Sequence, residues 1–95
     1  MWATYLPQMH ERVDTLAAAA QAFAAGRLST QQQEEAQSAA HKLSGVLGTF
    51  GLQHGTELAR ELEEIYTGPI APNPELAAKL ASIATNLRMI IDSRK

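Results

Sequence analysis

Four segments of the chain repeat apolar residues at alternating intervals of three and four, a spacing that fits amphipathic helices and little else. In the first segment Leu6, Met9, Val13, Leu16, Ala20 and Phe23 share one face. The second carries Ala36, Ala40, Leu43, Leu47 and Phe50, the third Leu58, Leu62 and Ile65, and the fourth Leu76, Leu80, Ile83, Leu87 and Ile90. β-branched residues are sparse, whereas alanine and glutamine are abundant, and that balance favours helix over sheet. The expected fold is all-α.

Local signals mark where each helix starts and stops. Pro7 suits a first-turn position and Gly26 a stop, which predicts a helix over about 7–25. Ser29 or Thr30 can cap the next, with Gln32 or Gln33 completing a capping box and Glu34 and Glu35 near the positive end of the dipole. That helix runs over about 30–49, and Gly51 is placed to close it in a left-handed conformation. A third helix spans about 52–67, with Gly55 leaving room for a neighbour and Gly68-Pro69 ending it. Asn73, Pro74 and Glu75 read as N-cap, first-turn proline and dipole-matched acid for a helix over about 74–93, whose last turn is expected to be basic through Arg88, Arg94 and Lys95. Four such helices on short connections pack most simply as an antiparallel up-down-up-down bundle, and 95 residues predict one domain, 1–95, with one modest core. Trp2 and Tyr5 are expected to cover the open end of that bundle.

Composition removes several classes of function. There is no cysteine, hence no disulfide framework, thiolate metal site or cysteine nucleophile. A net charge of -2 offers no basic footprint for nucleic acid. No apolar run reaches membrane-span length, and the N-terminal residues lack the basic start of a signal peptide, so a soluble, cytoplasmic protein without membrane insertion is expected. Nothing resembles a nucleotide-binding loop. A zinc site built from His10, His41 and His54 is disfavoured, because no two of them have the i, i+4 spacing that chelates on one helix, and no metal site is expected.

The run Ala40-His41-Lys42-Leu43-Ser44-Gly45-Val46-Leu47-Gly48 breaks a local rule, since each interior glycine costs a helix roughly 0.5–1 kcal/mol relative to alanine. At 100° per residue the apolar set of this helix clusters within about 40°, while His41 lies about 140° away, Gly45 about 180° and Gly48 about 120°. The histidine is therefore expected to face solvent beside bare backbone, where another macromolecule can reach it. Neutral imidazole is a good nucleophile near pH 7, and a hydrogen bond to its second nitrogen would fix the attacking tautomer. A phosphoryl group is a fitting cargo, with Lys42 and backbone bared by Gly45 at hand for its oxygens, although Lys42 projects about 100° from His41 and must curl back.

The string Ala40-His41-Lys42-Leu43-Ser44-Gly45, followed by Gly48 and Gly51-Leu52, resembles the signature of the histidine-containing phosphotransfer (HPt) domain of bacterial phosphorelays. In that family glycine follows the histidine at the fourth, often the seventh, and the tenth position, and an acidic or amide residue stands twenty-two positions on; here these are Gly45, Gly48, Gly51 and Glu63. The resemblance implies a phosphocarrier without ATP-binding or kinase activity of its own. His41 would take a phosphoryl group from the aspartate of one receiver domain and pass it to another, Glu63 would orient the imidazole, and Lys42 would contact the phosphoryl group. Gln37, Ser38, Lys42, Ser44, Gly45 and Gly48 would form the partner-binding face. Expected partners are response-regulator receiver domains, including that of a hybrid sensor kinase, with magnesium held by the receiver and no cofactor in this chain, and the resemblance implies a monomer. Many members carry lysine three positions after the histidine, where this chain has Ser44. The alternative reading is a helical domain that docks on a receiver without chemistry.

Overall fold

A computed structural model describes residues 2–71 and 73–93, including their side chains except that of Trp2. Four helices follow one another: α1 (Trp2–Ala24), α2 (Thr30–Thr49), α3 (Gln53–Thr67) and α4 (Pro74–Ser93). Each packs on the next and α4 closes back on α1, while the diagonal pairs do not meet. Cross-helix contacts give the directions: His10 faces Asp92 and Asp14 faces Arg88, His41 faces Glu63, Tyr5 faces Phe50, and Glu61 faces Lys79. Every neighbouring pair is therefore antiparallel, as an up-down-up-down bundle requires.

The caps explain the boundaries. The Ser29 hydroxyl accepts from the Gln32 amide at 3.1 Å, and the Gln32 side chain accepts from the Ser29 amide at 3.2 Å, so the capping box is complete. The Asn73 side chain accepts from the amides of Glu75 and Leu76 and starts α4. Gly26 and Gly51 stand at φ +72° and +73°. In both, the glycine amide and the amide after it bond back to the carbonyls of the last turn, Gly51 to Gly48 and Leu52 to Leu47, the double closure that only a left-handed residue permits.

Two expectations about the helix ends are corrected. The first helix starts at Trp2 rather than near residue 7, and Pro7 lies inside it. Proline already has helical φ, and the one bond it removes would have gone to the carbonyl of Ala3, a residue exposed to solvent. The added turn gains contact, because Leu6 packs on the core and Tyr5 meets Phe50 edge to face at 5.9 Å. The last turn of α4 within the described residues contains no basic side chain: Arg88 lies further back and pairs with Asp14 of α1 at 2.5 Å, and Arg94 and Lys95 lie outside the described residues, as does the Trp2 side chain.

On α1 and α2 the predicted Met9, Val13, Leu16, Ala20, Phe23, Ala36, Ala40, Leu43 and Leu47 are buried, whereas Leu6 and Phe50, at the end of the bundle, are half-buried. On α3 the buried face is rotated: Gly55, Thr56, Ala59, Leu62 and Tyr66 point inward, and Leu58 and Ile65 pack from the flank. Small residues decide this. A Cβ at Gly55 would stand 3.1 Å from Leu47 Cδ1 and 3.4 Å from Ile90 Cγ2, so α3 comes closest to its neighbours along its smallest side chains. On α4 the inward positions are Leu80, Ile83, Ala84, Leu87 and Ile91, with Ile90 half-buried and Leu76 at the margin.

Candidate functional site

Burying Leu43, Leu47, Ala36 and Ala40 turns the opposite edge of α2 outward, and His41 lies on that edge with 72% of its side chain exposed. Its Nδ1 stands 3.0 Å from Glu63 Oε2 of α3. A carboxylate can only accept, so Nδ1 carries the proton and donates it, and in the neutral ring the lone pair is then on Nε2. The two ring nitrogens flank Cε1 and their bonding directions diverge, so a group bound at Nε2 does not compete for the Nδ1–Glu63 hydrogen bond.

Glu63 is held by the α2–α3 interface. Gln33 donates to the carbonyls of Tyr66 and Gly68, each at 2.9 Å, and Gln37 donates to the Thr67 hydroxyl at 3.1 Å. Thr67 in turn donates to the Glu63 carbonyl at 2.6 Å. These bonds set the register of the two helices and thereby the place of the carboxylate beside the imidazole.

The glycines near His41 differ in what surrounds them. A Cβ at Gly45 would meet nothing within 4 Å, so this face is open. One at Gly48 would lie 3.7 Å from the Thr56 hydroxyl, an ordinary contact, so Gly48 also faces the start of α3. Ser44 turns its hydroxyl back to the His41 carbonyl at 2.7 Å and offers nothing to a ligand at Nε2.

His41 forms the crest between two grooves. Toward α3 it shares a shallow groove with Glu34, Gln37, Ser38 and Glu63. Toward α1 it shares a larger one, of about 550 Å³, with Lys42, Gly45, Tyr5, Arg12 and Phe50. Gln37, Ser38, Lys42 and Gly45 are therefore gathered around the histidine, but on opposite sides of it. Arg12 and Tyr5 were not legible as neighbours of His41. They repeat at helical spacing on the flank of α1, yet only the packing of α1 on α2 brings that flank to the site.

The other histidines lie elsewhere, His10 against Asp92 at 2.7 Å on the α1–α4 face and His54 exposed near the start of α3. Among the described residues no three His, Asp or Glu side chains are gathered as a metal site would require. No helix among them is long and apolar enough to cross a membrane.

This arrangement, an exposed imidazole with one nitrogen tied to a carboxylate and the other free, suits nucleophilic attack on an electrophile that another macromolecule carries in. Protein RcaC of Microchaete diplosiphon is 34% identical over 91 residues, which cover 96% of this chain and 14% of that protein. The chain thus spans about one-seventh of that relative's length, and no solved structure matches it. The sequence profile of the Hpt domain matches residues 1–90, nearly the whole length, and the chain accordingly belongs to the Hpt domain family of phosphorelay proteins.

Proposed function

We propose that this domain is a phosphorelay carrier in which His41 is the phosphoryl acceptor. The Nε2 lone pair attacks the phosphorus of an aspartyl phosphate on a receiver domain, the Nε2–P bond forms as the P–O bond to the aspartate breaks, and the carboxylate leaves with the electron pair. The imidazole keeps its Nδ1 proton and becomes positively charged. Glu63, which accepts that proton's hydrogen bond, offsets the new charge and holds the ring in the attacking orientation. Running the same exchange backward onto a second receiver returns His41 to its starting state.

The division of labour follows from the side chains. The carrier contributes the nucleophile, its orienting carboxylate and, through Lys42, one nearby cation; magnesium belongs with the receiver's own carboxylates. The open face at Gly45, together with Ser38 and Gln37 on the other flank, is where the receiver closes over the ring. Domain 1–95 works as one unit, without nucleotide binding of its own.

The observation that carries this reading is the pairing of high exposure at His41 with the 3.0 Å bond to Glu63. Incubation with a phosphorylated receiver is expected to label the protein on histidine, acid-labile and absent in His41→Gln. Labelling that survives this substitution overturns the assignment. Tight receiver binding without any labelling makes the domain a docking module instead.

A further inference from the structure

The two grooves beside His41 differ in charge. Glu34 and Glu63 line the α3 side, and Arg12 and Lys42 line the α1 side. Among the described residues neither of these cations has an ion-pair partner, in contrast to Arg88, paired with Asp14, and Lys79, paired with Glu61. Arg12 is half-buried, in a groove whose other walls include the rings of Tyr5 and Phe50. A guanidinium without an acid partner, in a groove shared with His41, keeps its donors available to an anion.

The His41–Glu63 bond occupies Nδ1 on the acidic side and leaves Nε2 as the nitrogen that carries the group. A phosphoryl group on Nε2, with about -1.5 to -2 charge and three acceptor oxygens, would be repelled by Glu34 and Glu63 and drawn to the opposite groove. There the planar fork of Arg12 can hold two of its oxygens at once, which the point charge of Lys42 cannot. The Ser44 hydroxyl, tied to the His41 carbonyl, does not compete.

We infer that Arg12 of α1 is a phosphoryl-binding residue that holds the group carried by His41. The inference rests on the phosphocarrier reading above. It makes α1 part of the site rather than only a wall of the bundle.

The test uses phosphoramidate, which phosphorylates histidine directly, its P–N bond breaking with loss of ammonia as the Nε2–P bond forms. The 31P resonance of the product is followed against pH in the wild type, Arg12→Gln and Arg12→Lys, with circular dichroism confirming the fold of each. The ionisable groups around the phosphoryl group are Arg12 and Tyr5 of α1, Lys42 and Glu34 of α2 and Glu63 of α3. Removing the Arg12 charge is expected to raise the pH at which the phosphoryl group loses its last proton, and Arg12→Lys to restore it in large part. The transfer equilibrium with a receiver should shift toward the receiver by about two- to fivefold in Arg12→Gln, the range of a partly exposed ion pair. A loss of packing alone would not move the phosphoryl titration. A wild type that is phosphorylated on His41, with a titration that Arg12→Gln leaves unmoved, overturns this assignment alone. A wild type that takes no phosphoryl group on His41 overturns it together with the phosphocarrier reading.

Discussion

His41 and Glu63 meet at 3.0 Å across the α2–α3 interface, the histidine 72% exposed and the glutamate 29%. The imidazole is thus offered to solvent while its partner is half withdrawn into the helix pair. The carboxylate is fixed by the packing of α3 on α2, whereas the ring stays accessible.

Substituting Glu63 should separate charge from hydrogen bonding. Glu63→Gln keeps an oxygen acceptor and loses the charge, and Glu63→Ala loses both. Hydrogen bonds to charged groups contribute about 1.5–3 kcal/mol, so rapid-quench transfer rates are expected to fall roughly tenfold or more in Glu63→Ala and by less in Glu63→Gln. Equal rates in all three proteins would remove Glu63 from the mechanism.

Gly45 sets stability against approach. With open space at its Cβ position, Gly45→Ala should raise stability by about 0.5–1 kcal/mol through helix propensity alone, while the methyl group on the docking face slows transfer. Gly55→Ala is the control: its Cβ meets Leu47 at 3.1 Å, and overpacking there should leave it about 1 kcal/mol or more below Gly45→Ala in denaturant titrations. A Gly45→Ala protein that is more stable and transfers at the wild-type rate would show that bare backbone is not needed.

Tyr66 is buried in the core with no hydrogen-bond partner for its hydroxyl among the described residues, and burial pushes its pKa up from 10.0 to about 12. Between those values the unfolded chain loses the phenolic proton before the folded one does, so stability is full below pH 10 and falls as pH rises toward 12. Tyr66→Phe should be neutral or stabilising by about 1 kcal/mol at pH 7, since it removes an unsatisfied polar atom. The same variant should flatten the alkaline decline measured by urea unfolding; a decline as steep as the wild type's would assign it to other groups.

Loss of the α2 cap is expected to act on stability and spare the chemistry. Ser29→Ala breaks the hydroxyl bond to Gln32 and should cost about 1 kcal/mol in unfolding free energy. Its transfer rate should match the wild type, because the cap lies three turns from His41. A rate that fell with stability would mean the helix start steers the site.

The helix periods, the caps at Ser29 and Asn73, and the turns at Gly26 and Gly51 were legible because each depends on residues within one turn of one another. The rotated face of α3 was not. Leu58 and Ile65 are the more apolar choice, but Gly55 and Ala59 let the backbones come closer, and packing outweighed side-chain hydrophobicity. The early start of α1 was missed for a similar reason: Pro7 signals a helix start locally, and the contact that extends the helix past it, Tyr5 on Phe50, joins residues far apart in the chain.

The sequence by itself determined the fold class, the antiparallel order and the outward face of His41, since all follow from short-range periodicity and the length of the connections. Tertiary structure alone decided which nitrogen of His41 is engaged, through the register of α2 against α3, and that Arg12 joins Lys42 beside it, through the packing of α1 on α2. Those are relations between helices, fixed by how small and large side chains interlock, and no spacing along one helix encodes them.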